Sequence, residues 1–225
     1  MKKITIVVTA LLLIQSITLT AQLERQNGLS ITLKGPNTKI EGVTAVDASA
    51  KTQHLRFLSE GYKKAKLNEL KDEFLFRYNI FADEMEFIKD GEIYFLSKTK
   101  NQTITFLDIN RTFKVIELDG KLQYLEINYN GKVALYTKQS VIYKEGKVAT
   151  TQFETSKKSK FIKKKDEHYI TIDNSEIIKL PKGKKDFYAL FGEKSNAIKK
   201  YAKNEKISRK KVTDIIQILK HYNSI

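Results

Sequence analysis

Three carboxylates in the stretch Asp83-Glu84-Met85-Glu86 are the residues best placed for chemistry. Glu84 and Glu86 are two apart, so in a strand they share a face. Paired carboxylates can bind calcium or serve glycoside hydrolysis. No D-x-D-x-D-G loop surrounds them, and hydrolase carboxylates usually come from separate strands. The expectation is a solvated strand face, with a carboxylate-dependent hydrolase kept as an alternative.

The three histidines, His54, His168 and His221, are far apart in the chain. None has a second histidine or a carboxylate at the spacing of a helical metal motif. Structural or surface roles are expected for them. No G-x-S-x-G, P-loop or G-x-G-x-x-G is present. The chain has no Cys, which removes thiol nucleophiles, iron–sulfur clusters and Cys-based zinc sites. No catalytic residue, metal or cofactor is assigned.

The densest charge lies in Lys157–Lys165, KKSKFIKKK, with Phe161 and Ile162 in its middle. The formal net charge of +15 is uneven. Residues 22–156 carry 20 basic and 18 acidic side chains, whereas residues 157–225 carry 19 and 8. Lys outnumbers Arg 36 to 5. Arg's fork suits specific readout, whereas lysine point charges suit diffuse attraction. Candidate contacts to an anionic surface are Lys157, Lys158, Lys160, Lys163, Lys164, Lys165, Lys199, Lys200, Lys210 and Lys211.

Which polyanion they would meet depends on location. Lys2 and Lys3 precede an uncharged, mostly apolar run, Ile4–Leu19, and then Thr20-Ala21-Gln22. This is the build of a secretory signal peptide cleaved after Ala21. The run is shorter than the ~20 apolar residues of a membrane span. Without Cys there is no thiol for a lipoprotein anchor. A periplasmic or secreted protein is expected, and nucleic acid is then not an expected partner. Anionic lipid, acidic glycan or another envelope protein takes its place.

The elements that must hold these residues read as follows. Residues 22–56 form a lead-in with a possible strand at Leu29–Leu33 and a turn at Gly35-Pro36-Asn37. Residues 57–180 form a β-rich domain. Phe74, Phe76, Tyr78 and Ile80 alternate with Glu73, Leu75, Arg77 and Asn79, a period of two. Short apolar runs follow up to Leu180. Asp90-Gly91, Asp119-Gly120, Asn130-Gly131 and Glu145-Gly146 are hairpin turn signals between them. The period changes in residues 181–225. Helices are predicted over Lys184–Phe191, Lys194–Lys203 and from an N-cap at Ser208 to Tyr222. Val212, Ile215, Ile216, Leu219 and Tyr222 form one apolar stripe on the last. It would dock on the fold or, alternatively, lie on a membrane.

The expected class is mainly β with an α appendage (α+β). An antiparallel β-meander, an open curved sheet or a barrel, is followed by a short C-terminal helical segment. The ending Thr20-Ala21-Gln22, the stretch RYNIFADEMEF (Arg77–Phe87) and the lysine-rich tail ending HYNSI resemble uncharacterised secreted proteins of Bacteroidota. In these a β-rich region with an "RYN…D…E" segment precedes a lysine-rich helical tail. The resemblance covers about residues 60–225 and implies no activity, substrate or cofactor. The functional expectation is a non-enzymatic envelope protein that binds or scaffolds. Alternatives are a peripheral binder of anionic surfaces, the hydrolase, and a small apolar-ligand carrier built on a barrel.

Overall fold

The computed structural model describes residues 21–26, 29–34, 50–68, 70–89, 91–150, 153–173 and 175–225. The expected signal segment, save Ala21, lies outside them, as do the Gly35-Pro36-Asn37 turn and Asp90. In chain order the strands are β1 (Ala21–Gln26), β2 (Leu29–Lys34), β3 (Lys63–Leu67), β4 (Glu73–Asn79), β5 (Glu84–Lys89), β6 (Glu92–Leu96) and β7 (Thr103–Phe106). They continue with β8 (Arg111–Leu118), β9 (Lys121–Tyr129), β10 (Val133–Lys138), β11 (Val141–Lys144), β12 (Lys160–Lys163), β13 (Glu167–Ile172) and β14 (Ile178–Lys179). A helical turn α1 (Ala50–Gln53) precedes β3, and α2 (Lys184–Ala189), α3 (Ser195–Asn204) and α4 (Val212–Ser224) close the chain.

Twelve strands form one open antiparallel sheet, ordered β1-β2-β6-β5-β4-β3-β7-β8-β9-β10-β13-β14. The order differs from one continuous meander. β3 to β6 run outward in sequence order, and the chain then returns to pair β7 with the free side of β3. Ala65 of β3 lies opposite Phe74 of β4 and Phe106 of β7. Two local meanders therefore meet back to back at a β3–β7 seam. β11 and β12 form a separate two-stranded sheet.

The turn chemistry explains the β8–β9 hairpin. Asp119 and Gly120 both have positive φ, 51° and 72°, and Leu118 pairs with Lys121. That is the geometry a two-residue type I′ turn requires. Asn130-Gly131 works differently, since neither residue has positive φ and a looser connection joins β9 to β10.

The sheet curls strongly. Tyr78 of β4 and Tyr124 of β9 are four strands apart in the order, yet their rings are 5.6 Å apart. The curl is filled rather than hollow. Phe76, Tyr78, Met85, Leu96, Ile104, Phe106, Phe113 and Tyr124 are all at most 1% exposed. Neighbouring rings meet at tilted or edge-on angles, as in Phe106 on Phe113 at 89°, the arrangement ring quadrupoles prefer. The barrel alternative gives way to an open sheet whose concave face is packed.

β10 is buried on both sides. Val133 and Leu135 face the helices with Ile170, while Ala134 and Tyr136 join Leu118 and Leu125 on the other face. Against the first face pack Phe187, Phe191, Ile198, Ile215, Ile218, Leu219 and Tyr222. The apolar stripe of α4 is thus occupied within the fold and is not free for a bilayer. The helix starts at Val212, later than Ser208. The Ser208 N–H donates to the Asp214 carboxylate at 3.0 Å, and its hydroxyl accepts from the Lys210 N–H at 3.2 Å.

Candidate anionic-surface site

The carboxylate cluster is built into the sheet, not set out in solvent. Glu86 is 5% exposed, which corrects the expected solvated face. Arg77 on β4 lies directly opposite it and donates from Nη2 at 2.6 Å and Nε at 2.9 Å. Asn79 and the Tyr62 hydroxyl donate to the same carboxylate at 3.1 and 3.2 Å. Asp83 accepts from the Tyr78 hydroxyl at 2.7 Å and from Lys98 at 2.8 Å. The residues of the RYN…D…E pattern therefore bind one another across one hairpin. Each donor spent on Glu86 or Asp83 ties the two strands and their turn together.

The histidines are placed separately. Nδ1 of His168 on β13 is 2.9 Å from the Thr137 hydroxyl. The His221 ring stacks on Tyr201 at 3.8 Å. His54 opens a 3-10 turn after α1. Among the described residues no cluster of three or more His, Asp or Glu is arranged to hold a metal ion.

A cleft of about 1080 Å³ lies along β8, β10, β13 and β14. Four lysines and four carboxylates line it, so it has no net charge to recruit a polyanion. Lys100 pairs with Glu117 there, and Lys179 with Glu167. The hydrogen bond from Lys179 holds the Glu167 carboxyl below its usual range and raises the ammonium.

The basic run is different. Lys160–Lys163 form β12 and pair with β11 in the register Ile142↔Ile162, Tyr143↔Phe161, Lys144↔Lys160. Alternation turns Tyr143 and Phe161 to one side and Ile142, Ile162, Lys144 and Lys160 to the other. Phe161 is 1% exposed. It packs on Phe81 and Tyr143 at 5.1 and 5.3 Å, and its N–H donates to the Thr52 hydroxyl at 3.1 Å. The hairpin is thereby nailed to the first core and to α1.

Beyond β11 and β12 the two arms stay joined. Lys147 and Lys157 exchange both backbone hydrogen bonds at 2.8 Å. Gly146 passes so close to the other arm that a Cβ there would collide with the Lys157 carbonyl and sit 2.8 Å from Ser159 N. The glycine is what lets the arms touch. Ser159 and Ser156 hydroxyls accept from the Gly146 and Ala149 N–H groups at 2.9 and 3.0 Å.

This finger concentrates charge. Residues 141–165 hold eight lysines and two glutamates. Lys157, Lys158, Lys160, Lys164 and Lys165 are exposed and have no ion-pair partner among the described residues, while Lys163 faces Asp166 at 4.0 Å. The tail lysines are exposed too, Lys199 and Lys200 on α3 and Lys210 and Lys211 just before α4. They ride on the helical layer over the second core, whereas the hairpin sits on the first. The structure thus gathers Lys157–Lys165 on one arm of a hairpin and leaves the tail lysines on another part of the fold. Sequence reading missed the tip, where Val148 is 83% and Phe153 90% exposed. Two isolated apolar residues in a polar stretch show no period and so mark no element.

No helix among the described residues is long and apolar enough to cross a membrane. No protein-family profile, curated protein or solved structure matches the chain.

Proposed function

We propose that the protein is an exported, non-enzymatic binding module that attaches to anionic surfaces of the cell envelope through the β11–β12 hairpin. The observation that carries this reading is the set of exposed lysines along one arm, Lys157, Lys158, Lys160, Lys164 and Lys165, none with an ion-pair partner among the described residues. Each lysine near an anionic surface contributes about 1 kcal/mol. Five on one hydrogen-bonded arm and its base sum their attraction at a single place on the surface. The tail lysines add long-range attraction. The uncharged run before Ala21 supports export, and the resemblance to exported Bacteroidota proteins points the same way. The concave face that a carrier of small apolar ligands needs is filled by aromatic rings, and Glu86 is engaged by Arg77, so attachment accounts better for the fold than transport or hydrolysis.

The test is sedimentation with vesicles of phosphatidylglycerol and phosphatidylethanolamine. The protein is expected to pellet at ~0.05 M salt and to be released near ~1 M, where the Debye length falls to about 3 Å. The double variant Lys157→Glu/Lys158→Glu is expected to stay in the supernatant at low salt. Undiminished pelleting of that variant would remove the hairpin from the reading.

A further inference from the structure

The tip of the hairpin carries apolar surface that the fold does not use. Phe153 and Val148 are 90% and 83% exposed, while every other exposed large hydrophobic among the described residues is less than half exposed. Lysines alone suffice for attraction to a polyanion. A glycan offers carboxylates and hydroxyls but no apolar phase for a bare phenyl ring. An anionic bilayer offers phosphates for the ammonium groups and, a few ångströms deeper, an acyl boundary for the ring.

We infer that the β11–β12 hairpin is a membrane-docking finger. Phe153 and Val148 enter the interface of an anionic lipid bilayer while Lys147, Lys157 and Lys158 hold headgroup phosphates. This rests on the anionic-surface reading and names its partner. A groove of about 480 Å³ beside Val148 is lined by Lys147, Lys157, Lys158, Ser156 and Ser159, with Glu145 as the one carboxylate on its wall, so three lysines outweigh a single negative charge. Both serine hydroxyls accept from backbone N–H groups across the finger, and with no acceptor for their own protons among the described residues they can donate to a phosphate oxygen. The paired backbone of Lys147 and Lys157 keeps the tip from folding back. Glu154 limits the depth. Its carboxylate already accepts from the Thr150 N–H and hydroxyl at 3.2 and 3.1 Å, and it stays at headgroup level next to Phe153.

The chain contains no Trp, so Phe153→Trp installs a single indole at the tip, which can be excited selectively over the tyrosines. The variant is mixed with phosphatidylglycerol–phosphatidylethanolamine vesicles, with phosphatidylcholine vesicles and with alginate, a soluble acidic polysaccharide. A blue shift with the anionic vesicles alone, quenched by brominated acyl chains, is the expected result. Attachment through any other part of the chain leaves the indole in water. Phe153→Ser touches no core contact and should weaken anionic-vesicle binding about tenfold, the loss of one partly inserted ring, with its circular dichroism unchanged. If the protein pellets with anionic vesicles while the indole stays water-like and Phe153→Ser binds equally well, insertion is overturned and the anionic-surface reading stands. A blue shift with alginate and none with vesicles overturns the lipid partner. No binding to any of the three overturns both.

Discussion

Arg77 and Glu86 face each other across β4 and β5, with two guanidinium nitrogens on one carboxylate oxygen and the Phe57 ring 3.9 Å from the guanidinium carbon. The pair is largely removed from water, with side chains 19% and 6% exposed. Removing one partner strands the other's charge. Arg77→Ala is expected to lower unfolding free energy by about 3 kcal/mol. Lys100→Ala, which breaks the exposed pair with Glu117, should cost less than about 1 kcal/mol. Urea denaturation of both variants checks the contrast, and equal losses would mean that burial of the pair does not matter.

Tyr78 and Tyr124 predict alkaline instability. Burial first, and then the neighbouring carboxylates Asp83 and Glu84, push both phenols well above the usual value. Below about pH 10 both states are protonated and the full stability is present. Above it the unfolded chain ionises and the folded one does not, so stability falls as pH rises. The slope is about 1.4 kcal/mol per pH unit for each tyrosine. Unfolding measured between pH 9 and 11 should show this, and Tyr78→Phe or Tyr124→Phe should each flatten it.

The same two tyrosines should behave differently at neutral pH. The Tyr124 hydroxyl is buried without a hydrogen-bond partner among the described residues, whereas that of Tyr78 donates to Asp83. Tyr124→Phe is expected to be neutral or stabilising, and Tyr78→Phe to cost about 1–2 kcal/mol. A larger loss for Tyr124→Phe would reveal an unrecognised partner.

His168 sets an acid limit. Burial lowers its pKa, with Lys165 adding to the effect and Asp166 opposing it. Above about pH 6.5 the imidazole is neutral in both states and its contribution is intact. As pH falls from there towards the lower folded value, the unfolded chain takes up the proton first and stability drops. His168→Gln should remove this part of the pH dependence between about pH 5 and 7. NMR titration of the imidazole should place its midpoint below the usual histidine value.

Gly146→Ala tests the hairpin without touching its charges. The added methyl must push the arm carrying Lys157 and Ser159 away. Amide exchange of Lys147 and Lys157, which bond to each other, should accelerate markedly, while that of Ile104 and Phe113 in the main sheet stays slow. Unchanged protection at Lys147 would mean that the arms do not approach this closely.

Much of the sheet was legible because its strands alternate and its turns carry Gly or Asp. β4 and β8 show a half-buried period of two, and the helical stripe of α4 ends on the core as its spacing implies. β3 was not legible. In KKAKL three of five residues are lysines, and Ala65 and Leu67 alone mark the buried face. β12 is hidden in the same way, because Phe161 and Ile162 stand inside a run of lysines and two apolar residues are too few to show a period. The strand order was out of reach for another reason. Pairing Ala65 with Phe106 is a long-range event that no local pattern encodes. At the site the lysines were visible as composition. Their gathering on one arm, and the bare ring at its end, depend on a backbone crossing at Gly146.

The β3–β7 seam has a consequence for synthesis. A chain emerging from its N-terminus can assemble β3 to β6 while Thr103–Phe106 do not yet exist. During that interval one side of β3 is an open row of backbone donors and acceptors, the kind of edge that recruits strands from other chains. Lys63, Lys64 and Lys66 flank that row. Like charges along such an edge disfavour pairing with a second copy, so the lysines that mask the period of β3 are also residues suited to an edge that waits for its neighbour.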